Sequence, residues 1–123
     1  MGATIYRDLL AWQRAMDLVV GVYGETKRWP SAEAYGLTNQ VRRAVVSILS
    51  NIAEGQGRSG DREFLQFLSI AHGSIREVET QLLISARLGY SAQHDIEQVM
   101  EQAAEVGRLV RGHIRRLRRE LDD

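Results

Sequence analysis

The sequence predicts a single all-α domain over residues 1–123, an up-down-up-down antiparallel four-helix bundle. Apolar residues recur at steps of three and four positions through four long segments, which is the periodicity of an amphipathic helix. The breaks between these segments are short and carry proline or glycine, at Trp29-Pro30-Ser31, in Gly55–Gly60 and at Gly89-Tyr90-Ser91. Runs that alternate apolar and polar residues, as a half-buried strand requires, are absent from the sequence. Four amphipathic helices joined by short connections are typical of such a bundle.

The first two predicted helices cover about residues 8–27 and 38–54. The expected core-facing residues of the first are Leu9, Trp12, Met16, Val19 and Tyr23, and those of the second are Val41, Val45, Ile48 and Ile52. Pro30 ends the first helix, because proline disfavours a helical conformation in the residue before it. Thr38 stands where a capping hydroxyl is expected at the start of the second helix.

The third and fourth predicted helices cover about residues 61–88 and 92–119. Their expected core-facing residues are Phe64, Leu68, Ala71, Ile75, Val78 and Leu82 in the third, and Ile96, Val99, Ala103, Val106, Val110, His113 and Leu117 in the fourth. We expect the side chains of Ser59 and Ser91 to cap the N-termini of these helices. Gly55 and Gly89 follow the last periodic residues of the preceding helices, where a left-handed conformation favours glycine.

The composition excludes several classes of protein. The chain has 16 basic and 16 acidic residues, a formal net charge of zero, and no cysteine. Without cysteine there is no disulfide framework, no thiolate zinc site and no cysteine nucleophile. A hydrophobic content of 44% argues against intrinsic disorder, and no apolar run reaches the ~18 residues that a membrane-spanning helix needs. We therefore expect a cytoplasmic protein that does not act at a membrane.

Arginine dominates the basic residues, supplying 15 of the 16, and Lys27 is the only lysine. The planar guanidinium group makes paired hydrogen bonds to phosphate and carboxylate groups, so this bias is typical of a protein that binds such groups. A GC-rich coding sequence would produce the same bias without a functional cause. The zero net charge removes the usual argument for nucleic-acid binding, which is a strongly basic composition.

The third predicted helix carries a second set of apolar residues beyond its core-facing stripe. This set comprises Leu65, Phe67, Ile70, Leu83, Ile84 and Leu88. Apolar area on two faces of one helix indicates a second burial partner, and another copy of the chain is the simplest one. We therefore expect a homo-oligomer. Gly73 and Gly107 lie inside predicted helices, where glycine is destabilising relative to alanine. They either permit close approach of helices across an interface or are surface glycines that the fold tolerates.

A row of polar residues follows the second predicted helix beside its apolar stripe. It comprises Gln40, Arg43, Ser47, Asn51 and Glu54, and the third helix offers Ser74, Glu77 and Gln81 at matching spacing. Facing polar rows in a bundle usually pair with one another, because an unpaired buried polar group costs about 1–3 kcal/mol. We interpret these residues as a structural polar motif that sets the register of the two helices. The alternative is a polar groove or pore wall that binds a ligand.

Charge is divided along the fourth predicted helix. Four acids and no base lie from Asp95 to Glu105, and six arginines and no acid lie from Arg108 to Arg119. The arginines on one side of this helix are the candidate nucleic-acid-binding residues: Arg108, Arg111, Arg115, Arg118 and Arg119. The alternative is that this arrangement only complements the helix dipole, which each well-placed charge does by about 0.3–1 kcal/mol.

The sequence offers no pattern for a metal site, a cofactor or a catalytic site. Di-iron bundles place a glutamate three residues before each histidine ligand, whereas Ser69, Ser91 and Val110 precede the three histidines here. The Gly55–Gly60 segment lacks the lysine and the spacing of a phosphate-binding loop, so it predicts a plain turn. We expect no enzyme activity, no metal and no cofactor.

Several motifs of the chain follow the order and spacing of one known family. They are Trp12-Gln13-x-Ala15, Trp29-Pro30-x-x-Glu33-x-Tyr35-Gly36-Leu37-Thr38-x-Gln40-x-Arg42-Arg43-Ala44, Ser47-Ile48-x-x-Asn51-Ile52-Ala53-Glu54-Gly55, Phe67-Leu68-x-Ile70-Ala71-x-Gly73-Ser74, Glu79-Thr80-Gln81-Leu82 and Leu88-Gly89-Tyr90. Over roughly residues 6–91 the chain resembles the four-helix bundle proteins encoded in intervening sequences of bacterial 23S ribosomal RNA genes.

The resemblance implies a four-helix bundle that assembles as a ring, a homopentamer. The family is also similar to the accessory variability protein of diversity-generating retroelements, a basic pentameric bundle that binds nucleic acid and a reverse transcriptase. This chain departs from that relative in its zero net charge. Despite this difference in charge, the resemblance implies a non-enzymatic accessory module that binds RNA or another nucleic acid. The alternative is a protein–protein interaction scaffold without nucleic-acid binding, which takes a protein partner instead.

Overall fold

A computed structural model of the chain describes residues 5–122. Within this range the regular structure is helical throughout and contains no strand. The elements are a short 3-10 turn at Tyr6–Asp8, α1 (Leu10–Thr26), a second 3-10 turn at Ser31–Glu33, α2 (Leu37–Gln56), α3 (Asp61–Arg87) and α4 (Gln93–Asp122). The predicted all-α class with four helices is confirmed. None of the helices in the described range is long and apolar enough to cross a bilayer.

The four helices enclose one core. α2 packs against α1 and α3, and α4 packs against the other sides of the same two helices. The largest side chains with almost no exposed surface are Leu18, Ile48, Ile52, Leu68, Ile75, Leu82 and Ile96. Because full burial of such a side chain contributes roughly 1.5–3 kcal/mol, this core is the main stabilising feature of the fold. The predicted stripes of α2 and α3 are buried, except that Phe64 is half-buried.

The sequence interpretation places the wrong face of α1 in the core. Met16 and Tyr23 are exposed, and Leu9, Trp12 and Val19 are half-buried against the core edge. The buried apolar residues are instead Ala11, Ala15, Leu18 and Val22. This set lies one residue earlier in the chain, which rotates the helix by about 100°. Two alanines, which a count of large apolar residues passes over, allow α1 to approach its neighbours closely.

α4 follows the predicted stripe with one exchange. Ile114 is buried, whereas His113 is half-buried and its ring lies 6.2 Å from the Phe64 ring of α3. Burial lowers the pKa of His113, and the nearby Arg116 lowers it further. Arg116 Nη2 donates a hydrogen bond to His113 Nδ1 at 2.8 Å. The imidazole is therefore a polar edge of the core and not part of its centre.

The helix ends differ from the predicted caps except at Gly89. α2 begins after Gly36 and α3 after Gly60, neither with a side-chain cap, so Thr38 and Ser59 do not cap these helices. Glu33 acts at the start of α2, where its Oε1 accepts the Leu37 amide at 3.1 Å. The left-handed residue that ends α3 is Gly89, with φ +78°.

Gly55 is a helical residue and not a terminator. It lies buried within α2, against Phe67 of α3. A Cβ built on Gly55 would lie 2.6 Å from Phe67 Cβ and 3.0 Å from Phe64 Cδ1. The glycine therefore permits the close approach of α2 and α3, a role that the sequence interpretation did not assign to it.

The loop before α2 and the loop before α4 are joined by hydrogen bonds. Tyr90 Oη donates to Glu33 Oε2 at 2.7 Å, and Trp29 Nε1 donates to Ser91 Oγ at 2.7 Å. The Trp29 and Tyr90 rings lie 6.2 Å apart. The Ser91 hydroxyl thus accepts a hydrogen bond from Trp29. The first carbonyl that accepts a helical hydrogen bond at the start of α4 is that of Ala92, so Ser91 is not the N-cap residue. These contacts account physically for the Trp-Pro-x-x-Glu and Leu-Gly-Tyr motifs.

Candidate nucleic-acid interface

The second half of α4 forms a groove with the first half of α3. Six residues line it, and we call it the arginine groove: Ser69 and His72 of α3, and Arg111, Ile114, Arg115 and Arg118 of α4. Its cavity volume is about 460 Å³. Among residues 5–122 the lining includes no aspartate or glutamate, so this part of the groove presents positive charge to a ligand.

The packing of α4 explains why these arginines share one surface. Ile114 and Leu117 are buried, which turns the flank with Arg111, Arg115 and Arg118 toward the open edge between α3 and α4. The three arginines are four and three positions apart, so they lie on one face over about 10 Å of helix axis. Within residues 5–122 they make no ion pair, and their guanidinium groups are available to an external anion.

Gly107 shapes the position of Arg111. An ideal Cβ on Gly107 would lie 3.0 Å from Arg111 Nη1 and 3.8 Å from Ile75 Cγ2 of α3. The guanidinium group of Arg111 therefore lies back along α4, over the place that a larger side chain at position 107 would occupy.

The other two predicted arginines lie outside this groove. Arg108 Nη2 lies 3.2 Å from Glu101 Oε1, so this guanidinium group already has a carboxylate partner on the same helix. Arg119 is exposed and does not line the groove. Of the five predicted nucleic-acid-binding residues, the structure brings together Arg111, Arg115 and Arg118.

His72 is the residue of the groove that sequence reasoning missed. Its Nε2 atom is enclosed and has no hydrogen-bond partner among the described residues. Burial lowers the pKa of His72, and the positive charges of Arg76 and Arg111 lower it further. The spacing of three residues between Ser69 and His72 indicates that the two side chains share one face of a helix. It does not reveal that this face packs beside the arginines of α4, so the sequence alone could not assign His72 to the groove.

The predicted polar motif forms a second groove, between α2 and α3. The cavity measures about 400 Å³ and is lined by Asn39, Gln40, Arg43, Ala44, Ser47, Ser74, Glu77 and Gln81. The sequence therefore identified most of this surface, whereas Asn51 and Glu54 lie outside the lining.

The polar groove has hydrogen-bonded side chains at its base and exposed polar side chains around it. At its base the Ser47 and Ser74 hydroxyls are 3.0 Å apart, and Asn51 Nδ2 donates to Ser47 O and Ser47 Oγ at 2.8 and 3.0 Å. The contact between the two hydroxyls connects α2 to α3, whereas the two Asn51 bonds lie within α2 and orient Ser47. Gln40, Arg43 and Glu77 are exposed around the cavity, and Glu54 is exposed beyond it.

A third cavity, of about 860 Å³, lies between the end of α1 and the start of α4. Glu25 is only 3% exposed, and its Oε1 accepts a hydrogen bond from Arg28 Nη2 at 2.6 Å. Arg28 Nη2 also lies 3.4 Å from Asp95 Oδ2, and the hydrogen bond to Glu25 is the main cause of a raised Arg28 pKa. Sequence reasoning missed this buried carboxylate, because a glutamate near a helix end is usually at the surface.

No group of three or more histidine, aspartate or glutamate residues is placed to hold a metal ion within the described range. The three cavities therefore differ in the chemistry they offer. The arginine groove favours anions, the polar groove mixes donors with acceptors, and in the cleft beside Glu25 the Arg28 guanidinium pairs with Glu25 and Asp95.

Comparison with known proteins supports the family resemblance. A family model described as 23S rRNA-intervening sequence protein matches residues 7–112. A crystal structure of a protein with unknown function, from the S23 ribosomal protein family of Bacteroides thetaiotaomicron, is similar in fold, with a TM-score of 0.80. The two sequences are 21% identical, and the match covers 85% of this chain and 98% of the other. No curated protein matches the chain.

Proposed function

Since the chain belongs to the 23S rRNA-intervening sequence protein family, we propose that it is a non-enzymatic, oligomeric four-helix bundle that binds RNA. The arginine groove is the proposed binding surface. One observation carries the proposal: within the described part of the chain, the three guanidinium groups make no ion pair and no acidic residue lines their groove. We propose that the protein binds this RNA in the cytoplasm.

Phosphate binding explains this arrangement better than the helix dipole alone. A dipole effect acts within the last turn and is satisfied by any exposed base there. Arg111 lies about three turns and Arg115 about two turns before the end of α4 at Asp122, beyond that range. Backbone phosphates, in contrast, match a row of guanidinium groups that extends along a helix face.

The proposed bundle topology is up-down-up-down. Contacts between residues late in one helix and early in the next support it: Arg42 Nε donates to Thr26 Oγ1 at 2.8 Å between α2 and α1. Gly55 faces Phe67 near the α2–α3 connection. For α1 and α4, Arg28 lies beside Asp95, and Arg14 Nε lies 2.7 Å from Glu105 Oε1. Such pairs arise when neighbouring helices run in opposite directions.

The proposed assembly is a ring-like homopentamer. Exposed apolar side chains on two sides of the bundle support it: Met16, Val20, Tyr23 and Val46 on α1 and α2, and Ile70, Leu83, Ile84 and Leu88 on α3. Two different apolar faces suit a head-to-tail contact that closes into a ring. Light scattering at micromolar concentration should give about five times the 13.9 kDa of one chain. A monomer under these conditions would contradict the assembly.

The experiment for RNA binding measures fluorescence anisotropy of a labelled single-stranded RNA at about 50 mM salt. Replacing Arg111, Arg115 and Arg118 together by glutamine should weaken binding at least about tenfold, a loss of ~1.4 kcal/mol. The matched control replaces three exposed arginines outside the groove, Arg7, Arg62 and Arg87, and removes the same net charge.

The control variant should bind much more tightly than the groove variant. Equal losses in the two variants would show that only net charge matters and that the groove is not the site. Absence of binding by the wild-type protein would refute the RNA function and favour the second candidate, a protein–protein scaffold. The observation that favours that candidate is the open polar groove flanked by exposed Ile84.

A further inference from the structure

The α3 wall of the arginine groove supplies groups that differ from the arginines of α4. Ser69 and His72 are about one turn apart on α3 and line the same cavity as Arg111, Arg115 and Arg118 of α4. The Ser69 hydroxyl already donates to Leu65 O at 3.0 Å, which leaves its oxygen as an acceptor. His72 Nε2 has no partner within residues 5–122, so the imidazole is the α3 group with unused hydrogen-bonding capacity.

The charges around His72 oppose its protonation in the free protein. Burial is the largest cause of its lowered pKa, followed by Arg76 of α3 and Arg111 of α4. Glu79 of α3 acts in the opposite direction and is the weakest of the four causes. Because the ordinary histidine pKa is about 6.5, a lowered pKa leaves the imidazole neutral at neutral pH.

We propose that the arginine groove is a phosphate-binding site completed from α3 by His72, which takes up a proton when a phosphate group binds. This inference rests on the proposed RNA function, since a phosphodiester is the ligand. A phosphate between the arginines brings negative charge beside the imidazole and offsets the repulsion from Arg111. A protonated imidazole donates from both ring nitrogens, so Nε2 gains a charge-assisted hydrogen bond to the ligand once rotation of the side chain turns this enclosed atom into the groove.

The linkage between proton and ligand fixes the sign of the pH effect. A group that binds its proton more tightly in the complex than in the free protein makes ligand affinity rise as pH falls. Each unit by which binding raises the pKa of His72 makes the affinity tenfold higher at low pH than at high pH. The phosphodiester itself keeps a constant charge over this range.

The experiment measures anisotropy of a labelled oligouridine of about ten nucleotides, a length within the range of single-strand binding sites. The wild-type affinity should rise severalfold as pH falls from about 8.5 to 5.5 at constant ionic strength, because the imidazole takes up a proton in the complex. His72→Gln should remove this rise, because glutamine keeps a polar group and does not titrate. The matched control is His94→Gln, since His94 is exposed at the start of α4 and outside the groove, and it should keep the rise. An unchanged pH dependence in His72→Gln would overturn the inference.

A second measurement separates this inference from the RNA function. If the wild-type protein binds oligouridine with no pH dependence, the RNA function stands and the role of His72 is refuted. If it does not bind oligouridine, the RNA function fails, and NMR titration of the three histidines with sulfate decides about the anion site. Sulfate should raise the pKa of His72, and Arg111→Gln should abolish that rise. A His72 pKa that sulfate leaves unchanged would refute the anion site as well.

Discussion

The contact between Gly55 and α3 yields a quantitative test of the packing. A Cβ at Gly55 would lie 2.6 Å from Phe67 Cβ, whereas carbon atoms in contact sit about 3.5–4.0 Å apart. Phe67 Cβ is next to the backbone and cannot swing away, so α2 and α3 must separate by about 1 Å at this point. Overpacking of this kind costs about 1–3 kcal/mol, and the helix preference of alanine returns at most ~1 kcal/mol.

Gly55→Ala should therefore lower the free energy of unfolding by about 1–2 kcal/mol, or the melting temperature by roughly 3–8 °C. Gly73→Ala is the matched control, because Gly73 is exposed inside α3 and a Cβ there would meet no atom within 4 Å. This control should gain about 0.5–1 kcal/mol.

The assay is thermal unfolding followed by circular dichroism, with all variants at one concentration, because melting of an assembling protein depends on concentration. A Gly55→Ala variant as stable as the wild type would refute the close α2–α3 approach. A Gly73→Ala variant that loses stability would contradict the open surface on that side of α3.

Two further substitutions test the groove and the junction between the loops. Gly107→Ala should raise the melting temperature by a few degrees, because alanine has a higher helix preference than glycine. It should also weaken RNA binding, because the new Cβ displaces the Arg111 guanidinium group. An RNA affinity in the anisotropy assay equal to that of the wild type would contradict the placement of Arg111. Tyr90→Phe should destabilise the protein at neutral pH, because Tyr90 donates to Glu33, whose pKa is lowered first by the Leu37 amide and then by Tyr90. Since a carboxyl with a lowered folded-state pKa stabilises the fold above its unfolded pKa, the difference in urea denaturation should shrink below about pH 4.3. A difference that persists undiminished at pH 2–3 would exclude the ionised carboxylate as its cause.

The helical architecture could be predicted from the sequence wherever large apolar residues mark the core. Ile48 and Ile52 in α2, and Leu68 and Leu82 in α3, repeat at helical spacing and are fully buried. The same logic fails in α1, where Ala15 is buried and carries little hydrophobic signal. Which face of a helix meets the core depends there on how closely its neighbours approach, and spacing alone does not encode that distance.

Only the α4 side of the candidate site could be predicted from the sequence. Charge division along α4 identified Arg111, Arg115 and Arg118 because a run of arginines without acids is visible in the sequence. His72 could not be assigned to the same site, since its role depends on which flank of α3 faces α4. The sequence also does not show which charged side chains pair locally. Arg108 pairs with Glu101, so it is not available to an external anion in the way that the three groove arginines are.

The salt dependence of RNA affinity is the sharpest test of phosphate binding by the arginine groove. For a single strand the slope of log affinity against log salt is about −0.7 for each neutralised phosphate, so three contacts contribute about −2. The wild-type protein should show a slope of at least this size, and the variant with Arg111, Arg115 and Arg118 replaced by glutamine should show one flatter by about 2. Equal slopes in the two proteins would contradict phosphate binding by the arginine groove.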